Sequence, residues 1–306
     1  MSLESNVVMA HLCRLYYVRD LTKQQIAERV GMSRFKVARL LDQARAEGIV
    51  QFEIQELVAV DDARSRGLED AFELSLAVVV RAGGDVGAIA RAAAAWLPDM
   101  VRDDEPVGVA WGTTLQRVVA LLPHRDPPAG PIVQICGAIP GLEPGTGPIE
   151  LALRFAERLG GPACSLPAPA LPNRAVRDGL LADPAVRPTV DLFDRVELAL
   201  VGIGASANLP NAPGHAAGHL LVHVFDEQGR FLESEAADRA IALSLKQLQR
   251  PRVVAVAGGE GKERAIPGAL RTGVIDVLIT DAECARYALE AVAAEPKKTD
   301  PAGAIA

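Results

Sequence analysis

Several things are scarce in this 306-residue chain, and each absence excludes a class of protein. No uninterrupted apolar run approaches the ~20 residues that a membrane-crossing helix needs, and no basic-then-apolar leader follows Met1. Neither a transmembrane span nor a secretory signal is therefore expected, and the expected compartment is the cytoplasm. The four cysteines, Cys13, Cys136, Cys164 and Cys284, stand far apart without a CxxC pair. That spacing fits isolated reduced thiols better than a disulfide frame or a zinc site. Net positive charge is missing too: the formal charge is −7, which taken alone argues against a nucleic-acid partner.

The distribution of charge reverses that last inference for one end of the chain. Residues 1–55 carry eight Lys/Arg against six Asp/Glu, which leaves −9 for the remaining 251 residues. A mildly basic head on an acidic body suits a small DNA-reading module joined to a domain that makes no phosphate contacts. The length allows two domains. The expected division is a DNA-binding domain over 1–57, a charged, helix-compatible linker over 58–75, and a large domain over 76–306.

Apolar residues Val8, Leu12, Leu15 and Tyr16 recur at helical spacing and predict a first helix over Val7 to Arg19. Thr22-Lys23-Gln24-Gln25 has the form of a capping box for a short second helix, with Ile26, Ala27 and Val30 as its apolar face. Gly31 permits the sharp turn, and Ser33 is the natural N-cap of a third helix over Arg34 to Glu47. There Val37, Leu40, Leu41 and Ala44 share one face, leaving Arg34, Lys36, Arg39 and Gln43 outward. This is the pattern of a recognition helix held in the major groove by a helix-turn-helix. Arg34 and Arg39 can pair bidentately with guanine, Phe35 can meet a thymine methyl, and Lys36 a phosphate. The expected DNA-contacting set is Thr22, Gln24, Gln25, Ser33, Arg34, Phe35, Lys36 and Arg39. Beyond Gly48, the alternation of Ile49 to Ile54 predicts a strand of a wing.

From Leu76 the pattern changes. Short β-rich runs at Leu76 to Arg81, Pro106 to Trp111, Pro131 to Gly137, Val196 to Gly202, Val253 to Gly258 and Asp276 to Thr280 alternate with helical stretches. Such alternation predicts an α/β fold with a mostly parallel sheet covered on both faces. Ligands in that architecture sit beyond the carboxyl ends of the strands. Glycine-rich turns stand at three of those ends: Trp111-Gly112-Thr113-Thr114, Gly202-Ile203-Gly204, and Gly258 to Lys262. At the first, free amides at a helix start and two hydroxyls favour an anion such as phosphate. Lys262 can neutralise a phosphate or carboxylate.

The run YYVRDLTKQQIAERVGMSRFKVARLLDQARAEGIVQFEI resembles the winged helix-turn-helix of the SorC family of sugar-responsive bacterial regulators, also called the deoxyribonucleoside-regulator type. The blocks GVAWGTTLQRVV, VQICGA, CSLPAPALP, ELALVGIGA, FDEQGR and VVAVAGGEGKERAIPGALRTGVIDVLITDAECA resemble the effector domain of the same family, in order. The resemblance implies a fold related to ribose-phosphate isomerase and glucosamine-phosphate deaminase, a phosphosugar-type effector over the strand ends, double-stranded operator DNA as partner, and a homotetramer. Carried over by position, it makes Gly112, Thr113 and Thr114 the phosphate loop, Gln134 and Gly137 part of a second loop, and Gly202 and Gly204 a third. Asp226 would accept hydrogen bonds from sugar hydroxyls and Lys262 would meet the anionic end. Three positions depart from the family pattern. Phe35 stands where a small residue is expected, His219 where an acid is expected, and Cys136-Gly137-Ala138 where Asn-Gly-Gly is expected. The last two lie near the implied pocket, so a common hexose or pentose phosphate is not carried over with the resemblance.

Two other classes compete. A sugar-phosphate isomerase or deaminase needs a carboxylate base over the sugar; Asp226 and Glu260 are available, but no combined acid/base signature is visible. A body that only oligomerises would not need three anion-ready turns. His215, His219 and His223 have four-residue spacing, but Pro213-Gly214 and the strand-like alternation of Leu220 to Asp226 oppose the helix a metal site would require. No metal and no cofactor are expected.

Overall fold

The computed structural model describes residues 3–51, 58–82, 84–206 and 213–294. They form two units, Met1–Leu57 and Val58–Ala306. In the first, helix α1 (Leu3–Cys13) runs on into a π-helical turn at Arg14–Val18. Helices α2 (Lys23–Val30) and α3 (Arg34–Ala46) follow. Met9, Leu12, Leu15, Ile26, Val37, Leu41 and Ala44 make a closed core. Met9 is fully buried and Val8 is 40% exposed, so the inward stripe of α1 runs through Met9 where the sequence suggested Val8. The expected strand at Ile49 to Ile54 is not seen in its described part: residues 49 and 50 form a bend, residue 51 belongs to no regular element, and Phe52 to Ile54 lie outside the described residues.

Among the described residues the second unit carries ten strands: β1 (Leu76–Val80), β2 (Val107–Val109), β3 (Ile132–Gln134), β4 (Ala163–Cys164), β5 (Leu198–Val201), β6 (Gly204–Ala205), β7 (Ala216–Leu220), β8 (His223–Asp226), β9 (Arg252–Val256) and β10 (Val277–Asp281). Its helices are α4 (Asp62–Phe72), α5 (Val86–Met100), α6 (Thr113–Leu121), α7 (Pro148–Leu159), α8 (Arg174–Ala182), α9 (Arg187–Val190), α10 (Glu235–Arg239), α11 (Leu245–Leu248), α12 (Ala265–Arg271) and α13 (Ala282–Ala293). Seven strands form one sheet in the order β1-β10-β9-β5-β2-β3-β4, and every pairing in it is parallel. β2, β3, β5 and β10 are buried at every residue, as strands covered on both faces must be. All six predicted strands lie in this sheet. The two-residue β4 was not predicted, because it is too short to show a period.

The expected linker is part of this second unit. Val60 bridges Val80, the Asp61 amide donates to Val79 O at 2.7 Å, and Leu68 on α4 is fully buried in the main core. The charge of the segment belongs to the outer face of a helix whose inner face packs on the sheet.

From β2 the chain moves outward through β3 to β4, and from β5 it moves the other way through β9 to β10. The reversal between β2 and β5 is the topological switch point, the position at which sheets of this kind have a crevice beyond the carboxyl ends of their strands. Directly after β5 the chain enters a small antiparallel sheet, β6-β7-β8. Leu221, at φ +51°, turns the chain between β7 and β8, so the single strand suggested over Leu220 to Asp226 is the second arm of a hairpin.

Candidate functional site

On the first unit, the capping box at Thr22 is formed as its sequence requires. Thr22 Oγ1 accepts from the Gln25 amide at 3.3 Å, and the Thr22 amide donates to Gln25 Oε1 at 2.9 Å. Gly31 at φ +67° closes α2, and Ser33 Oγ accepts from the Lys36 amide at 3.2 Å to start α3. These side chains set the angle between the two helices. Gln24 donates to Glu28 Oε1 at 2.8 Å. Four members of the expected set, Thr22, Gln24, Gln25 and Ser33, are thus engaged within the motif, although a phosphate can still replace water at their exposed edges. Arg34, Phe35, Lys36 and Arg39 project from the first turns of α3. All four are exposed, Phe35 at 87%. Among the described residues, Arg34, Lys36 and Arg39 have no ion pair. An exposed Phe flanked by three unpaired cations is costly to leave in water and suited to a groove edged by phosphates and methyl groups.

On the second unit, three predicted turns meet at the switch point. After β2, Gly112 takes φ +129° and ψ 163°, a conformation open only to glycine. Its amide donates to Thr146 O at 3.1 Å, and Gln116 Nε2 reaches Pro144 O at 3.3 Å. These bonds draw residues 143–147 alongside the start of α6. No side chain caps that helix, so the Thr113, Thr114 and Leu115 amides of its first turn lack a capping partner, in the same turn as the Thr113 and Thr114 hydroxyls. The Gly202 turn lies against this loop: a β-carbon there would stand 3.7 Å from Trp111 O. Lys262, in the loop after β9, donates from Nζ to Ile203 O at 2.7 Å and so ties the third turn to the second. Burial pushes its pKa down. That same loop is anchored by Asp281, fully buried, which accepts from the Gly259 amide at 2.7 Å and caps α13 through Glu283 and Cys284. Sequence reasoning passed over Asp281; the signal was an aspartate directly before a helical run.

Three expected effector contacts do not belong to the crevice wall. Gln134 is fully buried. It donates to Cys136 O at 2.8 Å and to Leu166 O at 3.4 Å, and accepts from the Leu166 amide at 2.8 Å. Its amide is consumed in joining the ends of β3 and β4. Gly137 is a packing glycine: a β-carbon would fall 2.6 Å from Ala168 O and the Ala170 amide. The Asp226 carboxylate accepts from the Gln228 amide at 3.0 Å, the Arg230 amide at 2.9 Å and Arg230 Nε at 2.8 Å, and the residue is 3% exposed. Arg230 Nη2 also stands 2.8 Å from Oδ2, so the carboxylate holds the turn after β8 with both oxygens engaged. Gly204 does border the crevice, but by making room: a β-carbon there would fall within the imidazole of His219. His219 and His223 sit on different strands and donate to different carbonyls, Leu221 O at 2.8 Å and Leu243 O at 2.7 Å.

Burial pushes the His219 pKa down from 6.5 to about 4, with the Leu221 bond opposing and Lys262 adding to the shift; burial lowers that of His223 as well. Both imidazoles fold in the neutral form, so the unfolded chain binds the extra protons. For His219 the native state is favoured fully above about pH 6.5 and loses that advantage as pH falls toward about 4, and His223 acts in the same direction. Urea unfolding from pH 7 to 4.5 should show stability decreasing, each histidine contributing at most about 1.4 kcal/mol per pH unit. The His219→Gln variant should show the shallower slope; parallel curves would contradict the assignment.

A DNA-reading helix pair on one unit and an anion-ready crevice in a parallel α/β sheet on the other define a regulator that couples DNA binding to a small molecule. The comparisons agree. A family described as "Putative sugar-binding domain" matches residues 59–290. The chain is 29% identical to the deoxyribonucleoside regulator of Bacillus subtilis, over 94% of this chain and 98% of that protein. It is 30% identical to the erythritol catabolism regulatory protein EryD of Brucella abortus, over 89% and 93%. The crystal structure of the full-length sorbitol operon regulator SorC from Klebsiella pneumoniae superposes with a TM-score of 0.70 at 25% identity, covering 94% of this chain and 99% of that one. The chain belongs to the SorC/DeoR-type family of sugar-responsive bacterial transcription regulators. Among the described residues, no helix is long and apolar enough to cross a membrane.

Proposed function

We propose that this protein is a cytoplasmic, homotetrameric regulator whose affinity for operator DNA is set by a phosphorylated, sugar-like effector bound in the β2/β5 crevice. The observation that carries this is the meeting of the turns after β2, β5 and β9 at one strand-end crevice, with the uncapped start of α6 and the Lys262 ammonium on it. The first-turn amides and the threonine hydroxyls 113 and 114 take the phosphate. Lys262 balances its charge, and the glycines at 112, 202 and 204 let the backbone approach. In the head, Arg34 and Arg39 read guanines, Phe35 a thymine methyl and Lys36 a phosphate.

The body is read as a sugar-phosphate isomerase-type or deaminase-type fold retained for binding without turnover. In support, the two carboxylates that could serve as base are poorly placed for it. Both Asp226 oxygens are engaged by the 228–230 turn and Arg230, and Glu260 is exposed. Control of DNA follows by linkage: the effector binds one assembly geometry better, and that geometry sets the spacing of the paired heads.

The test is a thermal-shift screen of the full chain against sugar phosphates, unphosphorylated sugars and polyols, repeated with Thr114→Ala and Lys262→Ala. A ligand present at 100 times its Kd stabilises the native state by about 2.7 kcal/mol. At least one phosphorylated compound should raise the midpoint in the wild type and in neither variant. Stabilisation by unphosphorylated compounds alone, or by none, would sink the phosphate assignment.

A further inference from the structure

The most informative side chain at the crevice is one that the binding account above leaves unused. His219 lies on β7 and pairs with Gly204 across the small sheet. Its ring sits over that glycine, where an added β-carbon would come within 1.8 Å of Nε2. Nδ1 stands 2.8 Å from Leu221 O. A carbonyl only accepts, so Nδ1 carries the proton. In a neutral imidazole the other nitrogen is then a bare acceptor. Among the described residues Nε2 has no hydrogen-bond partner, and the residue is only half-buried. One residue away along the same backbone, Lys262 Nζ is bound to Ile203 O. An acceptor fixed in direction and a cationic donor therefore stand on the two residues, Ile203 and Gly204, that line the β5 end of the crevice.

We propose that His219 is the specificity-determining acceptor of the effector site, its Nε2 receiving a hydrogen bond from a hydroxyl of the effector at the end of the crevice marked by Lys262. The proposal rests on the binding reading above and adds a chemical requirement to it. A fully ionised phosphate oxygen has no hydrogen to give Nε2, so this end selects a hydroxyl-bearing carbon while the α6 end takes the anion. Inorganic phosphate keeps a P–OH at pH 7 but has no carbon chain to carry a hydroxyl from the α6 end to Nε2, so it meets only half of the site. Burial and the Lys262 charge keep the ring neutral across the physiological range, so the preference is for a donor throughout. Gly204 is part of the same device, since any side chain there displaces the ring.

The test uses the full chain with 15N-labelled histidine. Long-range 1H–15N correlation at pH 7 should show His219 as the Nδ1–H tautomer. Titration follows with ribose 5-phosphate, erythritol 4-phosphate, glucitol 6-phosphate and inorganic phosphate. A sugar or polyol phosphate that binds should move the Nε2 resonance; inorganic phosphate should leave it in place. For that compound His219→Leu and Gly204→Ala should each weaken binding about tenfold, with phosphate affinity unchanged. His219→Gln, whose Oε1 can accept, should recover most of the loss. An Nε2–H tautomer, an imidazolium, or unchanged affinity in His219→Leu overturns the proposal while leaving the crevice assignment standing, provided that Thr114→Ala still abolishes binding. If no compound of the panel binds, the crevice assignment fails and this proposal falls with it.

Discussion

Arg34→Ala and Arg39→Ala should each weaken binding to the preferred duplex by roughly 10- to 100-fold, and the double variant by the product. The basis is geometric. Both guanidiniums project from the N-terminal half of α3 and are exposed, with no ion pair among the described residues. They lose no internal partner on meeting DNA, and a bidentate contact to guanine contributes about 1–3 kcal/mol of discrimination. The duplex would be selected by the wild-type protein from a random library and binding followed by anisotropy against salt. Lys36→Ala should behave differently. Its loss should be uniform across sequences and should flatten the salt dependence by about one counterion. Phe35→Ala should relax preference for thymine at a single position. If the arginine variants kept the wild-type base preference and lost only affinity, the readout would lie elsewhere, and these residues would be phosphate contacts. Helical circular dichroism should not change in any of them, because the buried face of α3 is Val37, Leu41 and Ala44.

Gln134→Leu should lower the unfolding free energy of the larger unit by about 2–5 kcal/mol. Leucine matches the size of the side chain but fills none of its three hydrogen bonds. The Leu166 amide and the Cys136 carbonyl, both at the buried ends of β3 and β4, are left unpaired, and each such group costs about 1–3 kcal/mol. Against a total stability of about 5–15 kcal/mol, that is a large share. Trp96 and Trp111, the chain's two tryptophans, both lie in this unit, so fluorescence-detected urea unfolding reports on it directly. A loss under about 1 kcal/mol would mean that Gln134 is dispensable to the core and restore it as a candidate ligand contact.

Much of the helix-turn-helix was legible because its signals are local. The Thr22–Gln25 capping box, the left-handed Gly31 and the Ser33 cap each depend on atoms within three residues, and each is formed as read. The parallel sheet was legible for a different reason. Its strands are buried on both faces and appear as unbroken apolar runs with helical stretches between. What failed was short or non-local. β4 is two residues long, and the turn at Leu221 requires a positive φ that no glycine or asparagine announces. Position 8 was misread because Val8 and Met9 are both apolar, and only the packing of α1 decides which faces inward.

The site divides along the same line. Gly112, Thr113, Thr114, Gly202 and Lys262 could be read as candidates because glycines and hydroxyls after strands have a local meaning, and the structure brings their turns together because β2, β5 and β9 are neighbours in the sheet. Gln134, Gly137 and Asp226 were placed by resemblance. Whether a buried polar group faces a ligand or its own chain depends on partners far away in sequence: Leu166 for Gln134, Ala168 and Ala170 for Gly137. By itself the sequence determined the helix caps, the strand runs, the basic face of α3 and the chemistry available at the strand ends, since all of these follow from local periodicity and short-range hydrogen bonding. Only the tertiary structure decided which polar groups were already satisfied and which, like His219 over Gly204, were left with a lone pair to offer. A hydrogen bond uses its acceptor whatever the sequence distance, and that distance is closed only by folding.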